Sequence, residues 1–123
     1  MATRNAESYT LIANSNLTGK EGCFGKTVSG KADICSVLGE QSDFIIFNGG
    51  AANAAIDCMP SVGRKVPVKI GAVGVSAGAE LTPDANGLAK TAVSTNYVRC
   101  KAIVAGNAGE TIEAEWVDAY VKP

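Results

Sequence analysis

Apolar and polar residues alternate along several short segments of the chain, most clearly between residues 65 and 70. Val66, Val68 and Ile70 share one face of an extended strand, because successive side chains of a strand point to opposite sides. Pro67 has no backbone N–H to donate, so it places this strand at a sheet edge or at a bulge.

Two later segments, 97–104 and 111–117, predict a β-hairpin. Their inward positions are Val98, Cys100, Ala102, Val104, Ile112, Ala114 and Trp116. Glu113 and Glu115 fall on the opposite face, and residues 105–109 supply the turn. One apolar and one wet face are typical of half-buried antiparallel strands.

Helix is expected to be minor. Ala32–Leu38 and Ala51–Ala55 could each form a short helical turn, but glycine flanks both, and neither reaches the roughly 11 residues of an average helix. The 14 glycines instead punctuate short apolar runs, as turns do. The chain is therefore predicted to be all-β.

The two halves of the chain echo each other. Residues 44–58 match residues 100–114, both reading as strand, glycine-bearing turn and strand. The matched pairs are Phe44 with Cys100, Ile46 with Ala102, Gly50 with Gly106, Ile56 with Ile112, Asp57 with Glu113 and Cys58 with Ala114. Upstream, Phe24 matches Leu81 and Gly30 matches Gly87. Two related β units closing on each other predict a small β-barrel or sandwich.

Residues 1–16 are predicted to be an extended N-terminal arm, and residues 17–123 the β domain. The segment from Tyr9 onward has no helical period. It suits an edge strand or a peptide that docks on a neighbour, and a terminus packed on its own domain suits it equally well.

Composition narrows the class of function. Apolar residues make up 46% and charged residues 19% of the 123-residue chain, which suits one folded domain. The net charge is −1, with no run of Lys or Arg, so nucleic-acid binding is not expected. No stretch approaches the roughly 20 apolar residues of a membrane span, and the first residues lack a signal-peptide core.

The four cysteines, Cys23, Cys35, Cys58 and Cys100, lack Cys-x-x-Cys spacing, and there is no histidine to complete a zinc site. Without an export signal they are expected to be buried free thiols, with a bridge or an exposed thiol as the alternative.

No catalytic residues, cofactor or metal ligands are predicted. The absence of histidine removes the commonest general base. Gly25-Lys26-Thr27 lacks the first glycine of a phosphate loop, and Asp84-Ala85-Asn86-Gly87 reads as a turn and not as a calcium loop.

Large side chains near both termini are candidate contacts to a capsid or another subunit. The predicted contact residues are Arg4, Tyr9, Leu11, Ile12, Trp116 and Tyr120. Aromatic side chains are enriched at interfaces, but for Trp116 a position capping the core is the favoured interpretation.

The segment from Val66 to Lys90 resembles the capsid decoration, or head cement, proteins of tailed bacteriophages. An alternating strand leads there into an Ala-Gly-rich turn, then Leu81-Thr-Pro-Asp-Ala-Asn-Gly87 and a short strand. The closing stretch from Ala108 to Trp116 is similar to the family's final strand, and the likeness spans residues 17–117. The four cysteines and residues 33–41 depart from the family pattern.

The resemblance implies a structural virion protein with no enzymatic activity and no cofactor. It would bind the exterior of the assembled capsid, often as a homotrimer, and bridge neighbouring copies of the major capsid protein. The protein would be made in the host cytoplasm and reside on the capsid surface, without nucleic-acid or membrane partners. The alternatives are a head–tail joining or tail protein, a small β-barrel binding module for carbohydrate or protein, and an enzyme.

Overall fold

The fold is taken from a computed structural model, which describes residues 9–59 and 63–123. Within these residues the chain forms ten strands and no helix, which confirms the all-β prediction. The strands are β1 (Tyr9–Ile12), β2 (Phe24–Val28), β3 (Lys31–Ile34), β4 (Phe44–Asn48), β5 (Ala55–Met59), β6 (Lys65–Lys69), β7 (Glu80–Pro83), β8 (Ala89–Thr91), β9 (Tyr97–Ala102) and β10 (Thr111–Val121).

The strands form two five-stranded antiparallel sheets, one in each half of the chain. The first sheet has the order β1-β5-β4-β2-β3 and the second the order β6-β10-β9-β7-β8, which is the same order shifted by five strands. We call residues 9–59 unit 1 and residues 63–123 unit 2. A parallel bridge joins Ala13 to Ala32 and another joins Ile70 to Ala89, so both sheets curl in the same way. The predicted pair of related β units is confirmed.

The register shows how closely the units correspond. Ile46 pairs with Cys58 in unit 1, and a shift of 56 residues takes this pair onto Ala102 and Ala114 in unit 2. The turn hydrogen bond from Ala54 N–H to the Ala51 carbonyl likewise recurs from Glu110 to Asn107.

One match expected from the sequence is displaced by a residue. Gly25 pairs with β4 as Leu81 pairs with β9, so Leu81 corresponds to Gly25 and not to Phe24. The cause is the turn that follows. Val28 pairs with Lys31 across two residues, whereas the corresponding turn between Asp84 and Leu88 contains three. Because of the extra residue, residues of β3 match residues of β8 that lie 57 positions later in the chain. This offset gives the expected match of Gly30 with Gly87.

Each unit has its own core, and the two cores are linked. The unit 1 core consists of Ala13, Leu17, Cys23, Ala32, Phe44, Ile46, Ile56 and Cys58, with Leu88 of unit 2 packed against it. The unit 2 core takes in three buried residues of unit 1, which are Phe24, Cys35 and Ile45. Burial of these side chains therefore depends on both halves being folded together.

Backbone hydrogen bonds join the units beside this apolar contact. Phe24 N–H donates to the Gly87 carbonyl at 2.7 Å, and Lys69 N–H donates to the Gly22 carbonyl at 2.9 Å. Gly39 N–H donates to the Pro83 carbonyl at 2.9 Å. Unit 1 and unit 2 use different surfaces in this contact, so the packing is head-to-tail.

The C-terminal residues cover part of the corresponding surface of unit 2. Thr95 N–H donates to the Lys122 carbonyl at 2.8 Å, at the position where Gly39 of unit 1 donates to unit 2. The Tyr120 hydroxyl and the Lys122 ammonium group both donate to the Glu80 carboxylate. The long strand β10 thus closes the end of unit 2.

Several local expectations are settled by the described residues. Val66, Val68 and Ile70 are buried, and β6 lies at a sheet edge, as Pro67 predicted. Val104 was expected to face inward but is exposed, because β9 ends at Ala102.

Two further expectations concern local structure near the amino terminus. The possible helical turn at 32–38 is instead the end of β3 and a loop. The segment assigned to an arm extending to residue 16 contains β1, which pairs with β5. Residues 1–8 lie outside the described residues.

Replacing Phe24 with alanine should lower the free energy of unfolding by about 3–5 kcal/mol, because this unit 1 ring is fully buried in the core of unit 2. Phe47→Ala is the matched control, since Phe47 is 44% exposed, and it should cost less than about 1 kcal/mol. Urea denaturation followed by Trp116 fluorescence measures both, and equal losses for the two variants would contradict the linked core.

Candidate protein-contact surface

The predicted contact residues fall into different environments. Tyr9 and Ile12 are exposed on the edge strand β1, and Leu11 between them is half-buried. Tyr120 is half-buried and donates to Glu80. Arg4 lies outside the described residues.

Trp116 is fully buried and belongs to the unit 2 core. Its ring centroid lies 6.4 Å from that of Phe24, and the Arg99 guanidinium carbon lies 4.8 Å above the indole. This is the core-capping role considered for it in the sequence. Trp116 is therefore removed from the set of surface contact residues.

A different group of apolar side chains is exposed at loops. We call it the apolar loop face, and it consists of Val37, Leu38, Val73 and Val93, which are 59%, 49%, 73% and 54% exposed. Sequence reasoning placed Val37 and Leu38 in a possible helical turn and Val73 in an Ala-Gly-rich turn, and it did not consider Val93. The signal that could have found them is the repeat, since Val93 lies 56 positions after Val37 in the same register as the β4 and β9 strands.

The loops that carry this face touch each other. Tyr97 N–H donates to the Gly39 carbonyl at 3.0 Å, which joins the β3–β4 loop to the start of β9. A Cβ at Gly39 would lie 2.4 Å from the Asn96 side-chain nitrogen, so only glycine fits there without displacing Asn96. Leu38 and Val73 also line one groove of about 390 Å³, with Asp84 and Lys90 among its other lining residues.

Val37 and Val93 each lie in a turn that is closed by a hydrogen bond to a side chain. The Glu40 carboxylate accepts the N–H groups of Ser36 at 2.7 Å and of Val37 at 3.0 Å. In unit 2 the Asn96 side-chain oxygen accepts the N–H of Val93 at 3.0 Å. A backbone bond closes each turn, from Glu40 to Val37 at 3.1 Å and from Asn96 to Val93 at 3.0 Å. The two loops are thus ordered in the same way.

The charge at the first turn is balanced locally. Lys26 lies 3.3 Å from the Glu40 carboxylate. Partial burial by itself raises the pKa of Glu40, but the N–H groups of Val37 and Ser36 and the Lys26 ammonium stabilise the anion. The net effect is a pKa below the ordinary value for glutamate.

The cysteines offer little reactivity. All four are buried free thiols in the structure. Burial is the largest cause in each case and raises the pKa of Cys35 and of Cys58 to about 12. It also raises the pKa of Cys23 and of Cys100. A thiol held in its neutral form is a poor nucleophile.

The segments considered as calcium and phosphate loops have structural roles instead. The Asp84 carboxylate accepts the N–H groups of Asn86 at 2.8 Å and Leu88 at 3.0 Å, which is the expected turn. Gly25-Lys26-Thr27 lies within β2. Within residues 9–59 and 63–123, no three His, Cys, Asp or Glu side chains are grouped to hold a metal ion. The same residues include no helix of the length and apolarity needed to span a membrane.

The fold has a solved counterpart. The structure of the head fiber gp8.5 N base in bacteriophage phi29 superposes with a TM-score of 0.68 over 94% of this chain and 98% of that chain, at 15% sequence identity. No protein-family model matches the sequence, and a search of curated proteins gives no match. The likeness therefore establishes a shared fold over nearly the whole chain.

Glu40→Gln should lower the melting temperature at about pH 7, and this loss should shrink as the pH falls through the folded-state pKa of Glu40. Because the folded-state pKa of Glu40 lies below its unfolded value, the charged carboxylate stabilises the fold above the unfolded pKa, and this contribution is lost as the pH falls through the folded pKa. Thermal unfolding across that range measures the effect. The exposed Glu113→Gln is the control, and a pH-independent difference for Glu40→Gln would contradict the assignment.

The native protein should react only slowly with an aromatic disulfide reagent at about pH 8, because all four thiols are buried and hold raised pKa values. Adding concentrated guanidinium should release the full four thiol equivalents. Absorbance of the released thiolate follows both reactions. Rapid reaction of one thiol in the native state would show that a cysteine is accessible.

Proposed function

We propose that this chain is a structural virion protein that binds the exterior of an assembled bacteriophage capsid. The observation that carries the proposal is the fold shared over nearly the whole chain with the base of a phage head fiber. The apolar loop face gives this fold a surface suited to protein contact, since exposed apolar patches commonly mark interaction sites.

On this proposal the chain bridges neighbouring copies of the major capsid protein and stabilises the shell. A protein that binds the assembled lattice, but not its separated subunits, raises the free energy needed to take the lattice apart. Each contact can be weak, because many copies act on one lattice. The proposal assigns the chain no catalysis and no cofactor.

Self-association belongs to the same proposal. A homotrimer would bring three copies of the apolar loop face onto one site of the shell, and the N-terminal arm predicted from the sequence would contact a neighbouring subunit. Tyr9 and Ile12, which are exposed on β1, would contribute to that contact.

Purified protein should co-sediment with empty shells of the same virus's major capsid protein and raise the temperature at which those shells dissociate. Sedimentation and light scattering on heating give the two readouts, with unassembled capsid subunits as the control. A chain that begins at residue 9 keeps β1 and should fold, but it should bind the shell less tightly. No binding of the full chain to intact shells would refute the proposed function.

A further inference from the structure

The two units carry the same exposed side chain at the same place. Among their matched large apolar residues, within the described parts of the chain, only two pairs are identical, Ile56 with Ile112 and Val37 with Val93. The isoleucines are 1% and 7% exposed, so core packing explains them. The valines are more than half exposed and belong to neither core, so core packing does not explain their identity.

The turns that carry Val37 and Val93 also have the same backbone conformation, and in unit 2 this conformation is strained. Gly39 has a φ of 79°, and Thr95 at the matching position has a φ of 76°. A β-branched residue in this left-handed region is strained, typically by about 1–2 kcal/mol. Backbone strain that the surroundings hold in place is characteristic of sites where a fixed geometry is used.

The size of the apolar loop face limits what can cover it. The face has four exposed apolar side chains, whereas a stable protein–protein interface takes in roughly 20–30 residues on each side. A stable pair of proteins usually buries roughly 800 Å² on each partner, so this face alone does not support a dimer of the chain. No charged residue lies next to either valine in the sequence, which favours an uncharged apolar site on the partner.

We infer that the two valine turns are two copies of one contact element, and that each occupies an equivalent apolar site on one of two adjacent shell subunits. This inference rests on the proposed capsid-binding function and names the residues and the stoichiometry of that contact. A partner that presents the same site twice is what a lattice of identical subunits supplies. Each turn is ordered before binding by Glu40 or Asn96, so little conformational entropy is lost when it docks.

The test compares Val37→Ser, Val93→Ser and the double variant with the wild-type chain, on assembled shells and on isolated capsid subunits. Val104→Ser is the matched control, since Val104 is 48% exposed at the opposite end of β9. All these positions are exposed, so the variants should fold, as circular dichroism and thermal melting will verify.

On shells, each single variant should bind roughly 100-fold more weakly, because one of two linked contacts is lost. On isolated subunits, the wild-type chain uses one turn at a time, so each single variant should lose only about twofold and the double variant should lose binding. Val104→Ser should bind like the wild type in both cases.

The other outcomes distinguish the duplicated valine contact from the proposed capsid-binding function. Equal losses for a single variant on shells and on subunits would indicate one continuous contact and overturn the duplication. Unchanged binding of the double variant would show that the valines are not the contact, while leaving capsid binding intact. Failure of the wild-type chain to bind shells would refute the proposed function, and this inference with it.

Discussion

The structure depends on the packing of one five-stranded unit against the other. Phe24 and Ile45 of unit 1 lie in the core of unit 2, and Leu88 of unit 2 packs against the core of unit 1. A sheet of short strands exposes one apolar face, and a second layer is needed to bury it. The same contact brings the β3–β4 loop, which carries Val37 and Leu38, against Asn96 in the loop that carries Val93.

Head-to-tail packing leaves one unmatched surface on each unit, and the two surfaces differ. On unit 2, Lys122, which directly follows β10, accepts a hydrogen bond from Thr95 N–H, as Pro83 does from Gly39 N–H in the contact between the units. On unit 1, no atom of the described residues lies within 4 Å of a Cβ placed on Gly30, whereas a Cβ on the matching Gly87 would strike Ile34.

The sequence predicted strands best where one face is buried. Alternation located β6, β9 and β10, and the repeat gave the pairing of two units, because both follow from side-chain period alone. Its errors lie where tertiary contacts determine the end of a strand or the register between the units. Val104 continues the alternation but falls beyond the last paired residue of β9, and the extra residue in the Asp84 turn moved the match at Phe24.

The candidate contact surface was harder to predict because exposure is a property of the assembled units. Trp116 has the residue type of an interface anchor, yet it fills the space between the units. Val37 has the residue type of a core position, yet it is exposed in a turn whose N–H groups donate to Glu40. Gly39 must lack a Cβ to fit against Asn96, while Thr95 faces the C-terminal strand and keeps one despite the strain. The turn backbone is thus the same in both units although the residue at its left-handed position differs, and the proposed contact of the two valines would account for this.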